Sequence, residues 1–332
     1  MYFKREDTTI ININSTKHLS TEPNNKKRAM SAKFNIRDFK SEDVPSLIKV
    51  WNASLTRDPI TDSRFISWLL GDPNHYPYLS TTLSSQSAPT GFFVATLAAT
   101  GEVAGFIRAT LRRVPNETLG LEPEYGYIPV VAVAPEHQRQ GAGTLLLEAA
   151  MKFLLSQGAA RVYVCGKTGS APGYVFPGVD TDNYKGGLRL FEKAGFVADH
   201  PAVGMLGVLN MMDVPAMRRR VDADERCRDV VVRRLRMEEV YDFLDFLRVE
   251  FPGDWNTAAR GKVACGRIDE IMVALLAGKI VGYCQWEGEH FGPFGVAHEL
   301  RNKGIGAKVN YHFYISLFHS IFNISIFQYF IQ

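Results

Sequence analysis

The chain has 332 residues, enough for about two domains, with 46% apolar residues and a formal net charge of +3. Residues 1–33 hold seven Lys/Arg against three Asp/Glu, a surplus of four that leaves the remainder at −1. The folded part is therefore not basic, which argues against nucleic acid as its main partner. Four cysteines, Cys165, Cys227, Cys265 and Cys284, show neither paired nor metal-like spacing. They fit a reducing, cytoplasmic setting, and no metal site is expected.

Taken in chain order, residues 1–33 are polar, lack the apolar core of a secretory signal and read as a disordered extension. The first folded region spans 34–210. Phe34–Phe39 alternates as a strand, and a helix follows carrying Val44, Leu47, Ile48 and Trp51. A second helical segment holds Phe65, Trp68 and Leu69. Gly91–Leu97 and Val103–Val114 read as a hairpin about Ala99-Thr100-Gly101-Glu102. Tyr125–Val133 is an apolar, β-branched strand stopped by Pro135, and Gly141 and Gly143 open a helix running to about Gln157. A strand at Arg161–Cys165, a long loop, a helix at Lys185–Lys193 and a last strand region ending near Leu209 complete the region.

The turn before the long helix is the most informative stretch. Amides at a helix start have no intrahelical partner, the helix dipole adds partial positive charge, and glycines let a ligand approach the backbone. Such a turn holds a phosphate. The P-loop pattern fails because no Lys-Ser/Thr pair follows, and the dinucleotide fingerprint fails at Leu146. The pattern present is Gln138-x-x-Gly141-x-Gly143 after Val131-Ala132-Val133-x-Pro135.

This pattern resembles the acetyl-CoA pyrophosphate loop of the GNAT superfamily of N-acetyltransferases. Phe191-Glu192-Lys193-Ala194-Gly195-Phe196 resembles a second signature of that superfamily. The resemblance implies an α/β fold (α+β in some schemes), a mixed central sheet flanked by helices, with acetyl-CoA as cosubstrate. It also implies binding residues Val131, Ala132, Val133, Gln138, Arg139, Gln140, Gly141, Ala142, Gly143 and Thr144. Two positions depart from it: the tyrosine that often protonates the leaving thiolate is Phe191, and the asparagine that often touches the cofactor is Lys185. Tyr184 is the nearest tyrosine to that vacant role. Glu124, at the start of the strand, is the carboxylate expected to take the amine's proton.

After a linker at 211–228 with the run Arg218-Arg219-Arg220, the element order restarts over 229–309. Arg301-x-x-Gly304-x-Gly306 repeats the loop pattern, so Arg301, Gly304 and Gly306 are its second set of candidate ligands. The chain thus resembles tandem members of the superfamily, with a partial second copy. Beyond Lys308 there is no charged side chain, and eight aromatics fall in 311–332. Residues 310–332 are expected to be an aberrant apolar tail, a shifted reading of A/T-rich DNA. Polar residues interrupt it too often for a membrane span.

The expected reaction is acetyl transfer from acetyl-CoA to a primary amine, on a small molecule or a peptide, by direct attack on the thioester. A module that binds acetyl-CoA without turnover and a non-functional truncated product remain open beside it. Neither nucleic acid nor membrane is expected as a partner.

Overall fold

The computed structural model describes residues 9–15, 33–72, 74, 90–116, 119–165, 171–203, 213–287 and 290–316. They fall into two compact units, 9–203 and 213–316.

The first unit is built on an eight-stranded mixed sheet flanked by helices. Its strands are β1 (Thr9–Ser15), β2 (Phe34–Asp38), β3 (Phe92–Leu97), β4 (Val103–Leu111), β5 (Tyr125–Val133), β6 (Arg161–Val164), β7 (Val179–Asp180) and β8 (Val197–Val203). The order is β2-β3-β4-β5-β6-β1-β7, with β8 on the other side of β1. Every pair is antiparallel except β5–β6. Helices α1 (Val44–Ser54) and α2 (Asp62–Phe65), the latter continued by a π turn at Ile66–Leu70, lie on one face. There Trp51, Phe65, Leu69, Phe92 and Phe106 form a core. Helix α3 (Ala142–Ser156) covers the other face with Leu146, Leu147, Ala150, Phe153 and Leu154, and α4 (Lys185–Lys193) adds Phe191. Apolar residues at helical spacing thus meet alternating strand residues on both faces, as a buried mixed sheet requires.

One expectation for this unit is corrected. Residues 9–15, expected within a disordered extension, form β1 and pair with β6, β7 and β8. All of the run Thr9-Ile10-Ile11-Asn12-Ile13 except Asn12 is β-branched, and strand partners far along the chain supply the order its polar flanks conceal.

The second unit carries a four-stranded antiparallel sheet of order β12-β11-β10-β9. Its strands are β9 (Val230–Arg234), β10 (Ile271–Leu276), β11 (Lys279–Glu287) and β12 (His290–Val296). The helices are α5 (Val214–Asp222), α6 (Val240–Glu250), α7 (Asp254–Ala264) and α8 over 305–316. Two more expectations are corrected. Much of the linker is helix α5: Asp213 caps the Ala216 amide, a proline occupies the first turn, and Val221 is buried while the arginine run faces solvent. The expected break at Val309 is also absent, because α8 continues to residue 316. Tyr311, Phe313 and Tyr314 are buried, with Phe313 and Tyr314 packing in the core beside Trp286. Residues 317–332 of that tail lie outside the described residues.

Candidate active site

Strand β5 organises the site. Its ladder with β6 covers only Tyr125–Ile128 against Arg161–Val164, and it ends with the Cys165 amide donating to the Ile128 carbonyl at 2.9 Å. The register with β4 shifts by one residue between Arg108↔Val130 and Thr110↔Tyr127, so β5 bulges at Ile128–Pro129. A bulge bends its strand, and it tolerates a residue without an N–H. Beyond it, β5 runs on to Val133 bonded to β4 alone. Ala134 donates to Ala104 at 2.8 Å, and antiparallel parity then commits the amides of Val130 and Ala132 to β4. The backbone groups of Val131 and Val133 point into the gap where β6 has splayed away. Of the three strand residues expected to bind cofactor, Ala132 therefore has its amide used by the sheet. Val131 and Val133 do not.

Two groups close the Val133 carbonyl: Ser54 Oγ donates at 2.8 Å and Gln138 Nε2 at 2.9 Å. Gln138 thus ties the loop to the strand. Gln140 ties it to the Glu136 carbonyl at 2.7 Å, and Lys33 bonds the Gln140 side-chain oxygen. Arg139 (φ 60°) and Gly141 (φ 103°) adopt left-handed backbone, which turns the chain sharply into α3. No side chain caps α3, and its first turn contains no acid. The amides of Ala142, Gly143 and Thr144 therefore stand open at the positive end of a fifteen-residue helix beside the exposed Arg139. This arrangement suits a phosphate or pyrophosphate. A Cβ placed on Gly143 would meet Leu190 at 3.4 Å, an ordinary contact, so the fold itself does not demand glycine there.

The second unit repeats this backbone at Arg301–Gly306. Arg301 (φ −64°, ψ 156°) follows Gln138 (φ −65°, ψ 156°), Asn302 (φ 64°) follows Arg139, and Gly304 (φ 77°) follows Gly141. Arg301 Nε donates to the Val296 carbonyl at 3.3 Å, as Gln138 does to Val133. Arg301 and Gly306 line a pocket of about 410 Å³ whose other walls include Phe251, Trp255 and Phe294. Gly304 lies outside that wall. A Cβ there would stand 2.4 Å from Asp224 Oδ2.

The two expected proton carriers are placed differently. Glu124 is exposed, and its carbonyl accepts from Ala160 and Arg161 at the closed end of the β5–β6 pair. At 3.3 Å per residue it stands about 23 Å along the chain from Val131. Tyr184 reaches the α1–α2 loop, where its hydroxyl donates to Asp58 Oδ2 at 2.7 Å and accepts from the Arg57 amide at 3.2 Å. Burial and the Asp58 carboxylate raise its pKa above the ordinary phenol value. Phe191, at the vacant tyrosine position, is sealed in the core at 5.4 Å from the Phe196 ring.

The sheet face bearing α1 and α2 holds polar groups not singled out from the sequence. Tyr127 and Tyr163 stack at 6.2 Å beside Ala171, and burial raises Tyr127 to about 12. Arg112 and Glu122 pair nearby at 3.3 Å. Arg108 is 1% exposed, and its Nη1 donates to the Thr90 and Ala109 carbonyls at 2.8 and 3.1 Å. Asp72 lies across from it. Arginine and aspartate in sequence-distant positions give no local pattern, so only the folded chain brings them together.

Residues 58–172 match the sequence model of the acetyltransferase (GNAT) family. No curated protein matches the chain. A solved fungal multi-domain GH3 beta-N-acetylglucosaminidase that contains a GCN5-related glucosamine N-acetyltransferase region shares 20% identity at a TM-score of 0.65. The match covers 86% of this chain and 34% of that one, so the chain spans about a third of that protein's length. A GCN5-related N-acetyltransferase from Sphaerobacter thermophilus shares 14% identity at a TM-score of 0.51, over 84% of this chain and 82% of that one. These two likenesses are of fold. Residues 58–172 are a GNAT acetyltransferase domain, an acyltransferase type whose cosubstrate is acetyl-CoA.

Proposed function

We propose that the chain moves an acetyl group from acetyl-CoA to a primary amine, with residues 34–210 as the transferase domain. The observation that carries this reading is one continuous backbone surface. The backbone of Val131 and the amide of Val133, which the sheet does not use, lead through the Gln138–Gly141 turn to the amides of Ala142–Thr144. The pyrophosphate would sit on the turn, and the pantetheine arm along the strand. The Val131 amide polarises the thioester carbonyl. The amine nitrogen attacks that carbon, the C–S bond breaks, and the thiolate leaves and takes a proton from water. Holding both reactants on one scaffold supplies much of the rate, so no dedicated acid is required.

We further infer that residues 229–309, extended by α8 to 316, are a partial second copy. The matching loop dihedrals support it, as does a repeated ion pair: Arg37 with Asp43 in the first unit, Arg233 with Glu239 in the second, each six residues apart before an eleven-residue helix. Among the described residues no helix is long and apolar enough to cross a membrane. All four cysteines are free, which supports a reducing, cytoplasmic setting. A second reading, acetyl-CoA binding without turnover, is favoured by the burial of Phe191. The test is thiol release from acetyl-CoA over a panel of amino acids, amino sugars, polyamines and peptides. Release that depends on an amine supports transfer, whereas tight binding without release supports the second reading.

A further inference from the structure

Asp72 and Arg108 are oppositely charged, and among the described residues neither completes its bonding. Arg108 is held by Nη1 alone, on the carbonyls of Thr90 and Ala109, with the Phe92 ring 5.8 Å from its guanidinium carbon. Its Nε and Nη2 are buried and have no hydrogen-bond partner among the described residues. These two nitrogens form one edge of the guanidinium plane, the edge that grips a carboxylate with two parallel bonds. Burial lowers the group to about 10, so it stays cationic at neutral pH.

Asp72 is fixed just as firmly on one side only. Its Oδ1 accepts from the Asn74 amide and side chain at 2.9 and 3.0 Å. Asn74 in turn is bolted to the end of β4, its Oδ1 accepting from the Arg113 and Val114 amides at 2.7 and 3.0 Å. Asp72 Oδ2 is buried with no hydrogen-bond partner among the described residues. A methyl group built on Gly173 would touch both Pro129 Cγ, at 2.9 Å, and Asp72 Oδ2, at 3.2 Å. The open carboxylate oxygen therefore sits beside the β5 bulge, two residues from the Val131 amide. No ion pair within 4.0 Å joins the two residues, although Asp72 is near enough to act on the guanidinium's charge.

An unpartnered cationic edge and an unpartnered anionic oxygen, both buried, are costly to leave unmet and complementary to one kind of molecule. Resting on the transferase reading above, we propose that the acceptor is an amino acid. Its carboxylate takes the Nε/Nη2 edge of Arg108, and its ammonium takes Asp72 Oδ2. Asp72 removes one ammonium proton, and the freed amine attacks the thioester carbon. The C–N bond forms as the C–S bond breaks. The nitrogen's second proton leaves to solvent, the thiolate takes one from solvent, and Asp72 returns its own to solvent. Acetylamino acid and free CoA result.

The test compares free L-alanine, L-leucine and L-phenylalanine, within a panel of the other amino acids, with their decarboxylated amines as acceptors for the full chain. At least one amino acid should exceed its amine by about 100-fold or more in kcat/KM, because a site built for a carboxylate rejects the analogue lacking it. In Arg108→Gln that ratio should fall below tenfold. Asp72→Asn should lower kcat/KM by 100-fold or more with acetyl-CoA affinity kept, and be partly rescued by added formate. Equal rates for amino acid and amine in the wild type overturn the proposal, and that comparison stands even where a variant fails to fold. Turnover of amino sugars or polyamines alone overturns it while leaving the transferase reading intact. No amine-dependent thiol release at all overturns both.

Discussion

The two glycine loops share a backbone, yet the sheet faces beside them have opposite chemistry. In the first unit the face next to the bulge carries Arg108, Thr110 and Tyr127, with Asp72 held over them. In the second, a Cβ on Gly295 would strike Phe251 at 2.5 Å and Trp255 at 2.8 Å. These two rings stack at 4.9 Å and pack against Tyr283. Ala104 and Val281 receive the equivalent loop amides, and four residues further on stand Arg108 and the neutral Gln285. A phosphate-binding turn is thus a portable backbone device, while the chemistry of transfer depends on what the opposite face presents. On the proposed reading the first unit supplies both parts. The second has the turn beside an aromatic wall.

The sharpest break of this comparison is at the paired glycines. Gly141→Val should weaken acetyl-CoA binding at least 100-fold, since the side chain stands where phosphate would approach, and its φ of 103° adds strain of about 1–2 kcal/mol. Gly304→Val should destabilise the second unit, because Asp224 leaves no room for it, and leave that affinity unchanged. Calorimetry with circular dichroism separates the two effects. If Gly304→Val abolishes binding and Gly141→Val does not, the assignment of the site is reversed.

The repeated ion pairs come next. Asp43 is 5% exposed and accepts two bonds from Arg37 at 2.7 Å, whereas Arg233 and Glu239 are 25% and 19% exposed. Asp43→Asn should cost about 3 kcal/mol and Glu239→Gln about 1 kcal/mol in denaturant unfolding. Burial acts to raise the Asp43 carboxyl, but Arg37 and the Lys40 amide outweigh it and hold it below the usual carboxylate range. A carboxylate with a lowered folded pKa contributes fully above its unfolded value, near pH 4, and that contribution is lost as pH falls through the folded value. The first unit should therefore lose stability on acidification below about pH 4, and Asp43→Asn should flatten that limb. The smallest effect is expected at Tyr184→Phe: about 1 kcal/mol of stability from the lost Asp58 bond, with kcat within threefold of wild type. A kcat loss of 100-fold there would restore Tyr184 as the acid.

Much of the first unit was legible because its signals are local. The Tyr125–Val133 strand, its terminating Pro135, the glycine turn and the apolar face of α3 each follow from neighbouring residues, and α4 falls at Lys185–Lys193 as read. Strand β1 was hidden because its partners β6 and β8 lie about 150 or more residues away, and a short Ile-rich run among polar residues carries little weight alone. Helix α5 was hidden by its charge, since of its nine residues only Val221 is fully buried. Within the candidate site, the backbone of the turn follows from neighbouring residues, whereas the carboxylates beside β5 are placed by contacts distant in sequence. Glu124 is close to the binding strand in sequence but lies at its closed end, whereas Asp72 reaches the bulge only through the Asn74 anchor on β4.

The central claim is that acetyl-CoA lies along Val131–Val133 and on the turn into α3. Amide hydrogen exchange, followed on peptides covering 129–134 and 138–146 as acetyl-CoA is added to the full chain, tests it most directly. Both segments should gain protection together, with saturation matching the calorimetric affinity, while 294–308 changes little. Protection confined to 294–308, or none in either loop at saturating ligand, would contradict the account.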